Sequence, residues 1–202
     1  MGRAYLPTDE FVVAFPQLDR LLRLARATEL NGPSGLSFLI AWTDEGGEPT
    51  GWVCPSPARS PDLSLHPVHR LLLRSFGGIG ERMNEREDTW LLNLNSALIE
   101  AQSLLPHGWF DYYQGSCQVH SLPTVVNADD YVPFAFEANG NCTLYHRGTS
   151  AIIMEAHDHS FHHVVPLPGC PAYSLYSIRG CPDLRSWVNN VATQWLGHVA
   201  AV

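Results

Sequence analysis

The pair Asn139-Gly140 constrains the fold of this chain more than any other short segment. Asn-Gly between two runs of alternating residues is the strongest local signal for a β-hairpin, because a type I′ turn needs positive φ at both central residues. The runs on either side, residues 131–138 and 142–146, alternate with a period of two. The pattern predicts an antiparallel hairpin in a sheet with one buried face.

Two more strands and a helix are predicted after the hairpin. Residues 151–155 and 173–178 are suited to strands, and Asp183 can cap a final helix. That helix carries an apolar stripe able to pack on the sheet, formed by Leu184, Trp187, Val188, Val191 and Trp195. Strands with segregated helices indicate an α+β fold, and we predict a single domain with a mostly antiparallel central sheet flanked by helices.

The region before the hairpin is interpreted from its apolar spacing and its turn residues. Helices are expected at residues 15–30, 68–76 and 89–105, and strands at residues 36–43, 52–54, 109–113 and 117–126. Gly77-Gly78 is the expected left-handed cap of the second helix. Because four prolines make residues 55–67 a loop, we divide the chain into an N-terminal extension of the same domain (1–66) and an α+β core (67–202).

Composition narrows the class of protein. At 202 residues the chain can bury a full core as one domain. Its net charge of −8 argues against a nucleic-acid binder, whose phosphate contacts need Lys and Arg, and it favours a basic partner. The sequence contains no run of about 20 apolar residues and no secretory signal, so we expect no membrane contact and a cytoplasmic location.

The five cysteines are scattered along the chain and form no Cys-x-x-Cys pair, which excludes a zinc ribbon and a thioredoxin-type motif. In the cytoplasm we expect most of them to be reduced and to pack as small apolar residues. A bridge between Cys170 and Cys181 is the alternative that we consider.

Histidines cluster at residues 157–163. In an extended chain His157 and His159 point the same way, and imidazole is a common zinc ligand. Together with His163 they define an alternative in which the protein is a small metal-dependent enzyme. We nevertheless predict no cofactor and no catalytic residue, because clustered histidines more often pack or face solvent and the sequence has neither a nucleophile elbow nor a phosphate loop.

Acidic residues concentrate in or beside the predicted loops. Two aromatic residues could anchor a partner at the centre of an interface with these charges around its rim. These candidate partner-binding residues are Asp44, Glu45, Glu48, Glu85, Glu87, Asp88, Asp129, Asp130, Trp109 and Tyr112. Negative loops would steer association with a basic protein. Core packing is the expected use of at least two of the three aromatic residues Trp109, Tyr112 and Tyr113.

Several segments resemble the SUKH superfamily, also called the SMI1/KNR4 family. The resemblance rests on Ser75-Phe76-Gly77-Gly78-Ile79, on residues 131–137 leading into Asn139-Gly140-Asn141, and on residues 183–188, and it covers residues 68–196. It implies a compact α+β domain and, in bacteria, an immunity protein that neutralises a toxin domain, often a nuclease or deaminase, by binding it. We therefore predict a non-enzymatic protein that occludes a basic toxin, with a general regulatory interaction module as a further alternative.

Overall fold

A computed structural model of the chain describes residues 7–32, 35–43, 46–47, 49–57, 63–82, 108–136, 140–158 and 163–199. Within these residues the chain forms five α-helices and two antiparallel sheets. The helices are α1 (Asp9–Ala14), α2 (Pro16–Arg23), α3 (Pro67–Ser75), α4 (Trp109–Val119) and α5 (Leu184–Leu196), and a 3-10 turn spans Ala128–Asp130. This arrangement confirms the predicted α+β class.

The first sheet has the strand order β1-β2-β3-β4, with every pair antiparallel. Its strands are β1 (Arg26–Gly32), β2 (Gly35–Thr43), β3 (Pro49–Pro55) and β4 (Gly80–Arg82). A Cβ at Gly51 would lie 2.4 Å from the carbonyl oxygen of Ile40, so the pairing of β2 with β3 requires glycine there. Because β4 comes from beyond residue 66, this sheet extends across the predicted division of the chain, which itself stays a prediction.

The second sheet has the order β5-β6-β7-β9-β8 and contains the predicted hairpin. Its strands are β5 (Tyr131–Phe136), β6 (Cys142–His146), β7 (Ile152–Glu155), β8 (Val164–Pro166) and β9 (Leu175–Ile178). β5 pairs with β6 up to Phe136 and Cys142, and Gly140 between them has a φ of 94°. The type of turn depends on residues 137–139, which lie outside the described residues. The edge strand β8 had not been predicted.

The main core joins both sheets to α5. Three tryptophans meet in it, Trp42 from β2, Trp52 from β3 and Trp195 from α5, with ring centroids 4.9 to 5.4 Å apart. On the side of the second sheet, Trp187 of α5 packs on Phe134 of β5 at 4.9 Å. The predicted apolar stripe of α5 is therefore confirmed, and this helix links the two sheets.

The predicted cap of α5 is also confirmed. A carboxylate oxygen of Asp183 accepts a hydrogen bond from the backbone N–H of Ser186 at 2.8 Å. The hydroxyl of Ser186 in turn accepts from the backbone N–H of Asp183 at 3.1 Å. This reciprocal pair satisfies two backbone donors at the start of α5 and fixes where the helix begins.

The second sheet is buried on both faces, so the prediction of one buried face is wrong. Along β6, Tyr145 belongs to the main core, whereas its neighbour Leu144 and the first residue, Cys142, lie in a second cluster with Trp109 and Tyr113 of α4. The reason is that α4 covers the face that we expected to be exposed.

Residues 15–30 do not form one helix, as the sequence had suggested. The leucines at helical spacing, Leu18, Leu21 and Leu22, all lie in α2 and are buried, but α2 ends at Arg23. The next residues enter β1, which pairs with β2 at seven positions. Sheet pairing over this length outweighs the local preference for a helix.

Gly77 does not form a left-handed helix cap. α3 ends at Ser75, and the cap residue that follows, Phe76, is extended. The N–H of Gly77 donates to the carbonyl of Pro55 at 3.0 Å, and a Cβ at Gly77 would lie 2.2 Å from the carbonyl oxygen of Ser56. The glycine is therefore needed for a close approach between two backbone segments.

The remaining predictions concern the cysteines, the other strands and helices, and membrane spans. All five cysteines are free, so the bridge between Cys170 and Cys181 is absent. The strands predicted at residues 36–43 and 52–54 and the helix at 68–76 are present as β2, β3 and α3. The helix predicted at residues 89–105 lies outside the described residues. In the part of the chain that the structure describes, no helix is both long and apolar enough to span a membrane.

Candidate functional site

The orientation of α4 determines which of its side chains reach solvent. Trp109, Tyr113 and Cys117 recur every four residues and are buried against the second sheet. The strands predicted at residues 109–113 and 117–126 are therefore wrong, because the apolar period here is that of a helix. The loop after α4 is held to the same helix, since the hydroxyl of Tyr113 accepts a hydrogen bond from the N–H of Val125 at 2.7 Å. Burial raises the pKa of Tyr113 to about 12, so this hydroxyl keeps its proton near neutral pH.

A second side of α4 presents apolar groups to solvent. Tyr112 is 73% exposed and Val119 is 81% exposed. They are seven residues apart, which places them on the same side of the helix two turns apart. Between them lie Gly115 and Ser116, and a Cβ at Gly115 would meet no atom within 4 Å. This stripe from Tyr112 to Val119 is an aromatic group and an aliphatic group separated by small residues.

Acidic side chains lie near the start of the same helix. Asp111 is exposed in the first turn of α4, and Asp129 and Asp130 are exposed in the 3-10 turn. The rings of Trp109 and Tyr131 are 6.3 Å apart, which brings the start of α4 beside the end of that turn. We call Asp111, Tyr112, Val119, Asp129 and Asp130 the α4 surface.

Backbone contacts hold the acidic turn in place. The N–H and the Nε of Arg147 donate to the carbonyls of Asp130 and Asp129 at 2.7 and 2.8 Å. The side chain of Asn127 caps the turn by accepting from the N–H of Asp129 at 3.3 Å. Since these bonds use backbone carbonyls, the two carboxylates remain available to an external group, although the Arg147 guanidinium offsets part of their charge.

The structure separates the predicted site residues into three groups. Asp129, Asp130 and Tyr112 are exposed and belong to the α4 surface. Trp109 is 5% exposed, so its prediction as a partner anchor is corrected: it packs in the second cluster, as Tyr113 does. The remaining acids lie outside the described residues: Asp44, Glu45, Glu48, Glu85, Glu87 and Asp88.

The histidine cluster is only partly described. His157 and His163 are exposed, and His159 lies outside the described residues. Across the ranges that the structure describes, no group of three or more His, Cys, Asp or Glu side chains is arranged to hold a metal ion. A metal site involving His159 therefore stays a prediction.

Sequence reasoning overlooked two residues of the α4 surface, Asp111 and Val119. The signal for both was the four-residue spacing of Trp109, Tyr113 and Cys117, which predicts a helix and places positions 111 and 119 away from its buried side.

Comparison of the chain with models of known protein families, with curated proteins and with solved structures finds no match. The resemblance to the SUKH superfamily stays a prediction.

Proposed function

We propose that this protein is a non-enzymatic binding protein, and specifically a bacterial immunity protein that neutralises a basic toxin in the cytoplasm by direct contact. The observation that carries the binding role is the α4 surface, where Tyr112 and Val119 are exposed on a helix that begins near three exposed carboxylates. The resemblance to the SUKH superfamily supports a toxin as the partner, whereas the geometry does not specify what the partner is.

The composition of the α4 surface suits a protein interface. Tyrosine is enriched among residues that dominate binding energies, because it adds a large contact area with few rotatable bonds. Acidic side chains at the edge of such a patch speed the encounter with a basic protein, and salt weakens this electrostatic attraction. The net charge of −8 acts in the same direction over longer distances.

The mechanism would be stoichiometric. A standard interface buries roughly 1,600 Å² in total, which is more than the exposed parts of Tyr112 and Val119 can supply. The partner would therefore extend beyond the stripe, over the acidic 3-10 turn and the loop after α4, where Leu122 and Val125 are also exposed. Occlusion of a nuclease or deaminase active site by such a surface needs no catalytic group in this chain.

The test is a capture experiment from the native host with the full chain as bait. The variant Y112S/V119S removes both apolar groups of the stripe. The matched control, V13S/Y173S, changes the same residue types at exposed positions elsewhere, since Val13 is 77% and Tyr173 is 51% exposed. We expect the wild type and the control to retain a basic partner at one-to-one stoichiometry, and Y112S/V119S to lose it.

Toxin neutralisation is then measured directly. The captured partner should arrest growth when expressed alone, and co-expression of the wild-type chain should restore growth while Y112S/V119S should not. A partner that is harmless to the cell would favour the regulatory module, and equal capture by all three proteins would show that α4 is not the interface. Metal analysis of the same preparation tests the enzyme alternative, which near-stoichiometric metal would favour.

A further inference from the structure

Glu155 is a buried carboxylate in an apolar setting. It is the last residue of β7, is 4% exposed, and pairs with Cys142 on β6 and Leu175 on β9. Side chains of directly paired residues lie on the same face of an antiparallel sheet. Because Cys142 and Leu175 both belong to the second cluster, the Glu155 side chain lies on the face that α4 covers.

A second carboxylate lies beside it. Asp158 follows three residues later, is half-buried, and accepts a hydrogen bond from the Nδ2 of Asn141 at 2.9 Å. Asn141 is fully buried and immediately precedes β6, so its bond ties the segment after β7 to the end of the β5–β6 hairpin. Two carboxylates from one segment are thereby held at the same end of the second sheet.

Glu155 has no hydrogen-bond or ion-pair partner among the residues that the structure describes. Buried carboxylates are normally paired with a cation, because loss of hydration is otherwise uncompensated. Burial first, and the Asp158 charge second, raise the pKa of Glu155 to about 7. Among the described residues, the titratable groups near this pair are Tyr176, whose own pKa is raised by burial and by these acids, Cys142 and the exposed His157, and none of them is a lysine or an arginine.

We propose that Glu155 and Asp158 form a receptor for the guanidinium group of an arginine side chain from a protein partner. A guanidinium is planar, carries several N–H donors in a fixed fork, and is more weakly hydrated than an ammonium, so it suits two adjacent carboxylates against an apolar wall. Gly140 and His157, which are both exposed, lie at this end of the sheet, where a partner side chain would approach. That the arginine comes from the basic partner rests on the function proposed above.

The test uses methylguanidinium as the probe and the full chain as the receptor. The side-chain amide signals of Asn141 report on the site by NMR, because this amide donates to Asp158. Methylguanidinium chloride is titrated at pH 8, where Glu155 is mostly ionised, against sodium chloride at the same ionic strength. The variants are Glu155→Gln and, as a matched control on an exposed glutamate of β1, Glu29→Gln.

We expect a saturable shift of the Asn141 signals in the wild type and in E29Q, and binding about tenfold weaker in E155Q, because a hydrogen bond to a charged group is lost. A shift that sodium chloride reproduces, or equal affinity in E155Q and the wild type, would overturn the receptor. D158N provides a second comparison and should also weaken binding of methylguanidinium. In this variant binding is followed on the backbone amides of residues 155–158, because the substitution changes the partner of the Asn141 side chain.

The outcome is separate from that of the partner experiment. Methylguanidinium binding that depends on Glu155 would stand even if no toxin were captured. Conversely, capture of a basic partner by E155Q as well as by the wild type would retain the α4 surface and remove the arginine receptor.

Discussion

Replacement of Glu155 by glutamine should stabilise the protein, and by more at high pH than at low pH. The pKa of Glu155 is raised from 4.5 to about 7 in the folded chain, so between these values the folded state holds a proton that the unfolded state has lost. Stability therefore falls as pH rises through this window and levels off above it, the reverse of the usual behaviour of a carboxylate in an ion pair. Glutamine has the same shape and does not ionise.

The magnitude follows from the same difference. At 1.36 kcal/mol per pH unit, a change from 4.5 to about 7 corresponds to about 3 kcal/mol, and we expect about 2 to 3 kcal/mol because local relaxation lets water reach the group. For a chain of 202 residues this raises the melting temperature by about 5 to 10 °C at pH 8. Near pH 4.5 the difference between E155Q and the wild type should be close to zero.

The assay is thermal and urea unfolding of the wild type, E155Q and the control E29Q from pH 4.5 to 8. A constant difference between E155Q and the wild type across this range would contradict the argument, since it would mean that Glu155 does not titrate there. If E29Q showed the same pH dependence as E155Q, the effect would belong to net charge and not to burial.

Three smaller perturbations test the fold that supports the α4 surface and α5. Asp183→Ala removes the helix cap and should lower the free energy of unfolding by about 1 kcal/mol, with Asp183→Asn retaining most of it. Tyr113→Phe removes the acceptor for the N–H of Val125, so it should cost about 1 kcal/mol and speed hydrogen exchange at that amide. Gly77→Ala places a Cβ 2.2 Å from the carbonyl oxygen of Ser56, so unfolding measurements should show a loss larger than the other two, and a neutral result would contradict the close approach.

Local signals predicted the right elements where a turn or a helix cap lies within a short stretch of sequence. The β5–β6 hairpin and α5 are of this kind: alternating residues around Asn139-Gly140 predict the hairpin, and Asp183 with the stripe through Trp187 predicts the helix. These features depend on turn geometry and capping, which a short window of sequence contains.

Elements whose type depends on their packing partners, near or distant in sequence, were missed or misassigned. β1 became a strand because β2 lies beside it, although the leucines of α2 suggested that the helix would continue. The sequence predicts strands for residues of α4 because Trp109 and Tyr113 belong to types common in sheets, and without this helix the second face of the sheet has no cover. The burial of Glu155 was not predicted for a related reason: it depends on β6, β9 and α4 together, not on the neighbours of Glu155 in sequence.

The meeting of Trp42, Trp52 and Trp195 has a consequence for how the chain acquires its structure. Contacts between residues so far apart in sequence carry a large loop-closure entropy, so they slow folding relative to a protein of local contacts. The first sheet, made early on the ribosome, keeps part of its indole surface uncovered until α5 has been synthesised. During that interval the nascent chain exposes aromatic surface that is prone to aggregation. We therefore expect the yield of folded protein in cells to depend on chaperones more than the stability of the finished protein would indicate.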